Sequence, residues 1–95
     1  MKNGPLIINN AKWWFKDDKL HRTNGPAVEW DDGSKEWFQN NKLHRTDGPA
    51  LEWYNGTKEW FLNGEQYSEL DYYKELFRRK LVNKESFGVI LLLEF

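Results

Sequence analysis

An internal repeat of 23 residues is the feature that most constrains how this chain can fold. Residues 19–38 align with residues 42–61 without a gap, and 15 of the 20 aligned pairs are identical. The five remaining pairs are Asn/Asp, Val/Leu, Asp/Tyr, Asp/Asn and Ser/Thr. Tandem copies this similar predict one structural unit that recurs along the chain and packs against its neighbours.

The repeat continues in weaker form on both sides of these copies. A Lys-x-Trp-Phe motif occurs at residues 12–15, 35–38 and 58–61. Residues 4–10 resemble a shortened Gly-Pro segment, and Gln66-Tyr67-Ser68 replaces the third Leu-His-Arg. Atypical terminal units of this kind usually cap an array. We predict an array over residues 1–67, with a degenerate N-terminal cap unit, two full units and a partial third.

Turn-forming residues interrupt the aromatic runs so often that β-hairpins are favoured over helices. Residues 31–34 and 54–57 place a glycine where a tight hairpin needs positive φ, and Asn55-Gly56 predicts a type I′ turn. Further turns are predicted at Asp17-Asp18, Asn40-Asn41 and Asn63-Gly64. We therefore predict a mainly β fold, an antiparallel meander of repeated β-hairpins with about seven strands.

The pattern changes after the array, where a helix is predicted over residues 69–82. Ser68 is a favourable N-cap, with the carboxylate of Asp71 three residues later. Acidic residues precede basic ones, which suits the helix macrodipole. The predicted apolar face, at helical spacing, consists of Leu70, Tyr73, Phe77 and Leu81. We expect this helix to cap the open end of the sheet.

An apolar run of strand length lies at residues 88–95. Left exposed, such a run would promote aggregation, so something must cover it. Two interpretations stay open: a tail strand that packs on its own domain, or a strand that pairs with another chain. The residues predicted to oligomerise in the second case are Val89, Ile90, Leu91, Leu92, Leu93 and Phe95.

Composition excludes several classes of protein. Ninety-five residues suffice for one domain. Fourteen Lys plus Arg against 15 Asp plus Glu give a net charge of −1, which argues against bulk nucleic-acid binding and a basic membrane anchor. Without cysteine there is no disulfide, thiolate nucleophile or cysteine zinc site. No signal segment or membrane-spanning run is apparent, so a soluble, cytoplasmic protein is expected.

The two full units carry the signature Leu-His-Arg-Thr-Asn/Asp-Gly-Pro-Ala, followed after one residue by Glu-Trp, at residues 20–30 and 43–53. It resembles the His-Arg-x-Asp-Gly-Pro-Ala repeats, a MORN-like family common in bacteriophages and giant viruses, over residues 4–67. The resemblance implies an elongated meander of hairpins and a non-enzymatic accessory or interaction protein, often viral and acting in the host cytoplasm. The chain departs from the family in its shortened first unit, its third unit without His-Arg, and its C-terminal helix and tail.

His21 and His44 are the only histidines, and they invite a metal or general-base interpretation. Equivalent residues of neighbouring units would lie about 10 Å apart, whereas zinc ligands lie about 2 Å from the ion. The two histidines therefore cannot share one metal, and no metal site is predicted. We expect each to form a structural hydrogen bond with its adjacent Gly-Pro turn, at residues 24–26 or 47–49.

Arg22 and Arg45 have two interpretations that the sequence leaves open. They can form ion pairs across each hairpin with Glu29 and Glu52, respectively. Alternatively, with the neighbouring histidines beside them, they form a ladder of cationic forks that binds an anionic ligand such as a nucleotide.

All six tryptophans lie inside the array, where core packing is the simplest explanation. Adjacent residues of a strand point to opposite faces, so each Trp-Phe pair splits across the sheet and one aromatic row can be exposed. Exposed aromatics beside arginine are common anchors of interfaces. The predicted partner- or ligand-binding residues are His21, Arg22, His44, Arg45, Trp14, Trp37 and Trp60.

Catalysis finds little support in the sequence. The serines form no Ser-His-Asp arrangement and no glycine-rich phosphate loop is present, so neither an enzyme nor a cofactor is predicted. The favoured function is stoichiometric binding of a host or self protein, such as inhibition of a host defence protein. Two alternatives stay open: an oligomeric sponge for an anionic nucleotide signal, and a structural subunit that assembles through the tail.

Overall fold

The computed structural model describes residues 3–79 of the chain. The fold there is mainly β with one helix, which confirms the predicted class. The elements are β1 (Gly4–Ile8), β2 (Ala11–Lys16), β3 (Lys19–Leu20), β4 (Val28–Trp30), β5 (Lys35–Glu36), β6 (Phe38–Gln39), β7 (Lys42–Leu43), β8 (Leu51–Glu52), β9 (Lys58–Leu62), β10 (Glu65–Tyr67) and α1 (Glu69–Arg78). These strands are shorter and more numerous than predicted. No helix in this part of the chain is long and apolar enough to cross a membrane.

The strands form one antiparallel meander with short side branches. The main sheet has the order β1-β2-β4-β5-β8-β9-β10, and β3 pairs with β2 off this path. Strands β6 and β7 form a separate pair. Strand β1 therefore lies at one end of the sheet, and β10 lies at the other.

On one of its two edges, each of the first two aromatic segments divides its pairing between two partners. The first half of β2 pairs with β4 and its second half pairs with β3. One unit later, β5 pairs with β8 and β6 pairs with β7, with Trp37 between them. Trp14 N–H donates to Ala27 O at 2.8 Å, and Trp37 N–H donates to Ala50 O at 2.8 Å. Backbone geometry thus recurs at the 23-residue spacing.

Two-residue turns close the hairpins on one side of each unit. The central φ angles are 51° and 68° at Asp17-Asp18, 51° and 67° at Asn40-Asn41, and 49° and 85° at Asn63-Gly64. Positive φ at both positions defines a type I′ turn, whose twist matches that of the flanking strands. Asn and Asp tolerate this left-handed region better than other side chains do, which accounts for their use here.

On the other side, the turn at Asn9-Asn10 also has positive φ at both positions, 52° and 64°, whereas the turns at residues 31–34 and 54–57 are of a different kind. Gly33 and Gly56 adopt positive φ, 95° and 91°, as predicted. The type I′ prediction for Asn55-Gly56 is wrong, because Asn55 is not in the left-handed region. Its side chain instead accepts a hydrogen bond from Thr57 N–H at 3.0 Å. This local bond holds asparagine in an Asx turn and leaves the left-handed position to glycine.

Small buried side chains such as Ala27, Val28 and Ala50 lie along the array, and within residues 3–79 a buried apolar cluster lies where α1 packs on β9 and β10. Its fully buried side chains are Leu62, Tyr72 and Leu76. The half-buried aromatics around them are Trp60, Tyr67 and Tyr73. The helix therefore caps the β10 end of the sheet.

The start of α1 was predicted correctly, but its buried face only in part, since Tyr73 of the predicted face packs against the core. Ser68 is the N-cap, and its Oγ accepts a hydrogen bond from Asp71 N–H at 3.1 Å. The buried residues are Tyr72 and Leu76, whereas Leu70 of the predicted face is 39% exposed. The face differs because the loop between β7 and β8 supplies backbone partners for the Tyr72 hydroxyl, which a pattern of apolar residues does not reveal.

α1 ends at Arg78, with Arg79 as its C-cap, and so ends earlier than predicted. The Glu75 carboxylate accepts hydrogen bonds at 2.6 Å from both arginine side chains, and these bonds hold its pKa at about 2. Residues 80–82 of the predicted helix, with Leu81, lie outside the described residues. The apolar tail at residues 88–95 also lies outside them.

Candidate functional site

Counted from one Lys-x-Trp-Phe motif to the next, the two full units cover residues 12–34 and 35–57, and the guanidinium of Arg22 is enclosed by residues of its own unit. It lies 3.8 Å from the centre of the Trp14 ring. Its Nε donates to Asn24 Oδ1 at 3.1 Å, and its Nη1 donates to Pro26 O at 3.1 Å. The same Nη1 lies 3.5 Å from Glu29 Oε2. We call this arrangement the first arginine clamp.

The second arginine clamp repeats these contacts 23 residues later. The Arg45 guanidinium lies 3.8 Å from the centre of the Trp37 ring. Its Nε donates to Asp47 Oδ1 at 2.8 Å. Its Nη1 donates to Pro49 O and to Glu52 Oε2, each at 2.9 Å. The predicted ion pairs across the hairpins are therefore confirmed in both units.

The glycine of each Gly-Pro pair makes room for the clamp. A Cβ on Gly25 would lie 3.0 Å from Arg22 Cζ, and one on Gly48 would lie 2.9 Å from Arg45 Cζ. Carbon atoms do not approach so closely without displacing one another. The Arg-x-Asn/Asp-Gly-Pro signature thus describes a packed guanidinium, with the tryptophan ring on one face and glycine beside it.

The histidines connect neighbouring units, so the predicted bonds to their own Gly-Pro turns are wrong. His21 Nδ1 accepts a hydrogen bond from Asn40 N–H at 3.1 Å. His44 Nδ1 accepts one from Asn63 N–H at 2.9 Å. The partners are amides of the next unit's type I′ turn, which sequence proximity could not reveal. Because Nδ1 is the acceptor, the neutral ring carries its proton on Nε2.

The pKa of His44 is lowered, first by burial and then by the positive charge of Arg79. Both effects disfavour the protonated ring. Protonation would also remove the acceptor that holds Asn63 N–H. His44 therefore serves best as a neutral link between the second unit and the third.

The third tryptophan of the series, Trp60, is covered by the helix instead of by an arginine. Ser68, at the position of the third arginine, is the N-cap of α1. Trp60 packs against the core that α1 forms, and its buried Nε1 has no hydrogen-bond partner among the described residues. The Tyr72 hydroxyl bonds to Arg45 O and accepts Gly48 N–H at 3.3 Å. The helix thus closes the array and also holds the second clamp.

A cleft of about 420 Å³ lies between the Gly-Pro loops of the two full units. Four of the seven predicted site residues line it, namely Arg22, Trp37, His44 and Arg45. The other lining residues are Thr23, Asn24, Gly25, Gln39, Thr46 and Asp47. The cleft is polar and can exchange hydrogen bonds with a ligand. Its cations already face carboxylates within the clamps, which reduces its attraction for anions.

The remaining predicted residues, His21, Trp14 and Trp60, do not line this cleft. Trp14, Trp37 and Trp60 are half-buried, so the aromatic row that was expected to be exposed is covered. Clamps cover the first two rings, and the helix core covers the third.

Among residues 3–79, the exposed aromatic residues lie elsewhere, at the turn between β8 and β9. Tyr54 is 71% exposed, and Trp53 beside it is also exposed. Trp53 Nε1 donates to Glu59 at 2.9 Å, and Tyr54 N–H donates to the buried Ser34 Oγ at 3.0 Å. We call Trp53 and Tyr54 the aromatic tip. The sequence feature that indicates the aromatic tip is the pair Asp31/Tyr54, the least conservative of the five differences between the two copies.

A second exposed surface lies on β1, where Leu6, Ile7 and Ile8 are all exposed. Ile7 is the most exposed, at 80%. The sequence feature that indicates this surface is the uninterrupted apolar run Leu6-Ile7-Ile8, within residues 4–10 of the predicted cap unit.

No group of three His, Asp or Glu side chains converges on a metal position within residues 3–79. Comparisons with protein-family models, curated proteins and solved structures found no match to this chain.

Proposed function

We propose that this protein is a non-catalytic binding protein that engages a partner protein stoichiometrically through the aromatic tip. The observation that carries the proposal is the exposure of Trp53 and Tyr54 on a turn whose backbone is held in place. Tyrosine and tryptophan are the residue types that most often dominate binding at protein interfaces. A rigid turn also reduces the conformational entropy lost on binding.

Comparison of the two units indicates that Tyr54 is not needed for folding. The equivalent residue of the first unit is Asp31, which occupies the same place in the turn before Gly33. A position that accepts aspartate in one copy has no structural requirement for an aromatic ring. An exposed tyrosine there is best explained by what it contacts outside the chain.

A non-catalytic role is supported by how the reactive side chains are used. Arg22 and Arg45 pack within their clamps, and each histidine holds an amide of the neighbouring unit. The resemblance to phage and giant-virus repeats favours a host protein as the partner. An inhibitor that blocks a host defence protein in the host cytoplasm fits stoichiometric binding without catalysis.

Native mass spectrometry after gentle purification from a host-like lysate tests this proposal. We expect a stoichiometric protein partner with the unmodified chain and its loss with Tyr54→Asp, which copies the residue of the first unit. Leu70→Asp is the matched control, because Leu70 is likewise exposed but belongs to α1 and not to the β8–β9 turn. A partner that stays bound to Tyr54→Asp, or no partner with the unmodified chain, would contradict the proposal.

A second candidate function is sequestration of an anionic nucleotide in the cleft between the units. The observation that favours it is the convergence of Arg22, Trp37 and Arg45 there. Isothermal titration calorimetry with adenosine 5′-monophosphate tests this candidate. Binding that is abolished by Gln39→Glu, which adds a negative charge to the lining without altering a clamp, would support the sponge. No heat of binding with the unmodified protein would eliminate it for this probe.

A further inference from the structure

The β1 edge of the sheet carries an apolar surface without a neighbouring strand in the described part of the chain. Strand β1 pairs with β2 on one side and ends the sheet order on the other. It contains no charged residue. Its exposed side chains, Leu6, Ile7 and Ile8, point alternately to the two faces of the sheet. Natural proteins usually protect such an edge with charges, proline, a bulge or a covering element, and of these the described part of the chain supplies β1 only with Pro5, which lacks one backbone donor.

The opposite end of the sheet is protected. Helix α1 follows β10 directly and packs on β9 and β10. The two ends of one array therefore differ in kind, one being covered and the other open and apolar. An open edge of this kind binds an extended segment through main-chain hydrogen bonds, and apolar side chains of that segment add affinity.

The chain itself contains a segment with these properties. Residues 89–95 comprise six apolar residues and one charged residue, Glu94. Five of the six apolar residues are Val, Ile or Leu, which are apolar enough to match both faces of β1. The segment is at least as long as the five-residue β1. Sequence chemistry therefore makes it a suitable occupant for this edge.

The reach of the chain favours a second copy as the source of this segment. Six strand spacings separate β9, under α1, from a strand added beyond β1, which is about 29 Å at about 4.8 Å each. Ten residue steps lead from Arg79 to Val89, and fully extended they span at most about 33–36 Å. The linker must also cross from the helix layer to the sheet. A chain could reach its own edge only with this linker almost fully extended, whereas a second copy has no such constraint.

We propose that β1 of one chain takes up residues 89–95 of a second copy as an added strand. This inference is independent of the aromatic tip, because β1 and the β8–β9 turn are separate parts of the sheet. Reciprocal exchange between two chains gives a closed dimer, and one-way exchange gives a longer head-to-tail assembly. In either case the apolar edge and the apolar segment cover each other.

Disulfide trapping tests this arrangement directly, because the chain contains no cysteine of its own. One chain carries Ile7→Cys, and a second, isotopically labelled chain carries Leu91→Cys, Leu92→Cys or Leu93→Cys. Facing side chains of neighbouring strands approach closely enough for a disulfide to form. After mixing and mild oxidation, we expect a mixed dimer of labelled and unlabelled chains with at least one of the three partners.

Chains carrying both cysteines, oxidised at low concentration, distinguish the two sources of the segment. A disulfide within one chain, with no mixed dimer, would overturn the proposal, and so would the absence of any Ile7→Cys disulfide to the segment. The mass of the unmodified chain gives a second readout: we expect a concentration-dependent oligomer that Ile7→Lys converts to a monomer. A monomeric unmodified chain would also overturn the proposal. Neither result affects the Tyr54→Asp test.

Discussion

The first and second arginine clamps use the same residue types at the same spacing, yet the second is held more tightly. In the first, Arg22 bonds to the neutral side chain of Asn24 at 3.1 Å, and its hairpin glutamate is 3.5 Å away. In the second, Arg45 bonds to the carboxylate of Asp47 at 2.8 Å, and its glutamate is 2.9 Å away. Bonds between charged partners are shorter and stronger than bonds to neutral ones.

Position in the array adds to this difference. Tyr72 of α1 bonds to the backbone of Arg45 and Gly48, so the helix holds the second clamp, whereas the first lies one unit further from it. Burial raises the pKa of Tyr72 to about 12, which keeps its hydroxyl neutral as a donor. The repeat signature therefore determines which contacts a clamp makes, and the residues around the clamp determine how much it stabilises the fold.

Replacing each arginine with alanine should give the largest difference in stability between the two clamps. Arg45→Ala should lower the free energy of unfolding by about 3 kcal/mol, because charge-assisted bonds and stacking on Trp37 are lost. Arg22→Ala, which loses weaker bonds, should lower it by about 1.5 kcal/mol. Urea unfolding measures both values, and Lys19→Ala controls for the loss of an exposed positive charge. Equal losses at the two arginines would contradict the ranking.

Removing one hydroxyl should isolate the contribution of the helix. Tyr72→Phe leaves Gly48 N–H and Arg45 O without this partner, so the free energy of unfolding should fall by about 2 kcal/mol. In this background the difference between the two arginine variants should narrow. Tyr54→Phe, at an exposed position, is the control and should change stability little. If the difference in unfolding free energy between Arg45→Ala and Arg22→Ala is the same in the Tyr72→Phe background, α1 does not strengthen the second clamp.

Exchanging the side-chain acceptors of the two arginines, Asn24 and Asp47, should change the stability of the protein by a smaller amount. Asn24→Asp gives the first clamp the carboxylate of the second and should stabilise the protein by about 0.5 kcal/mol, the typical scale for exposed ion pairs. Asp47→Asn should destabilise it by a similar amount. Both changes should diminish in high salt, because screening weakens exposed charge pairs. Thermal melts at low and high salt provide the measurement, and a salt-independent shift would contradict the electrostatic explanation.

The smallest expected effect concerns the link between units and appears as a pH dependence. Because the folded-state pKa of His44 is below its ordinary value of 6.5, the unfolded chain binds a proton first as the pH falls. His44 therefore stabilises the fold above pH 6.5, and this contribution is lost as the pH falls below 6.5 through the lowered folded-state pKa. Urea unfolding at pH 7.5 and 5.5 should show a smaller pH dependence for His44→Asn, which keeps an acceptor without titrating. Equal pH dependence in both proteins would refute this role.

Local sequence signals predicted much of this fold. Glycine and asparagine at regularly spaced turn positions predicted the hairpins, and Ser68 as an N-cap residue predicted the helix start. The type I′ turn was misplaced because the Asn55 side chain closes its own Asx turn, a competition that dipeptide preferences do not resolve. The buried face of α1 was predicted only in part, because Tyr72 needs backbone partners 24 and 27 residues away.

The candidate site was harder to predict, because it depends on which side chains share a face. The spacing of arginine and glutamate suggested the ion pairs, but not that each guanidinium lies on a tryptophan ring. That contact covers the aromatic row expected to be exposed. The aromatic tip left only one trace in the sequence, the Asp/Tyr difference between near-identical copies. The difference between the repeats therefore indicated an exposed aromatic residue that their shared residues did not reveal.

A double-mutant cycle between Arg45 and Trp37 tests the central claim, that the shared signature is a structural clamp, most directly. Arg45→Ala, Trp37→Leu and the double variant are compared by urea unfolding with the unmodified protein. Stacking at 3.8 Å predicts a coupling energy of about 1 kcal/mol, so the double variant should lose less stability than the two single variants combined. If the losses in stability of the two single variants add to that of the double variant within about 0.3 kcal/mol, Arg45 and Trp37 are not energetically coupled, which would contradict the clamp.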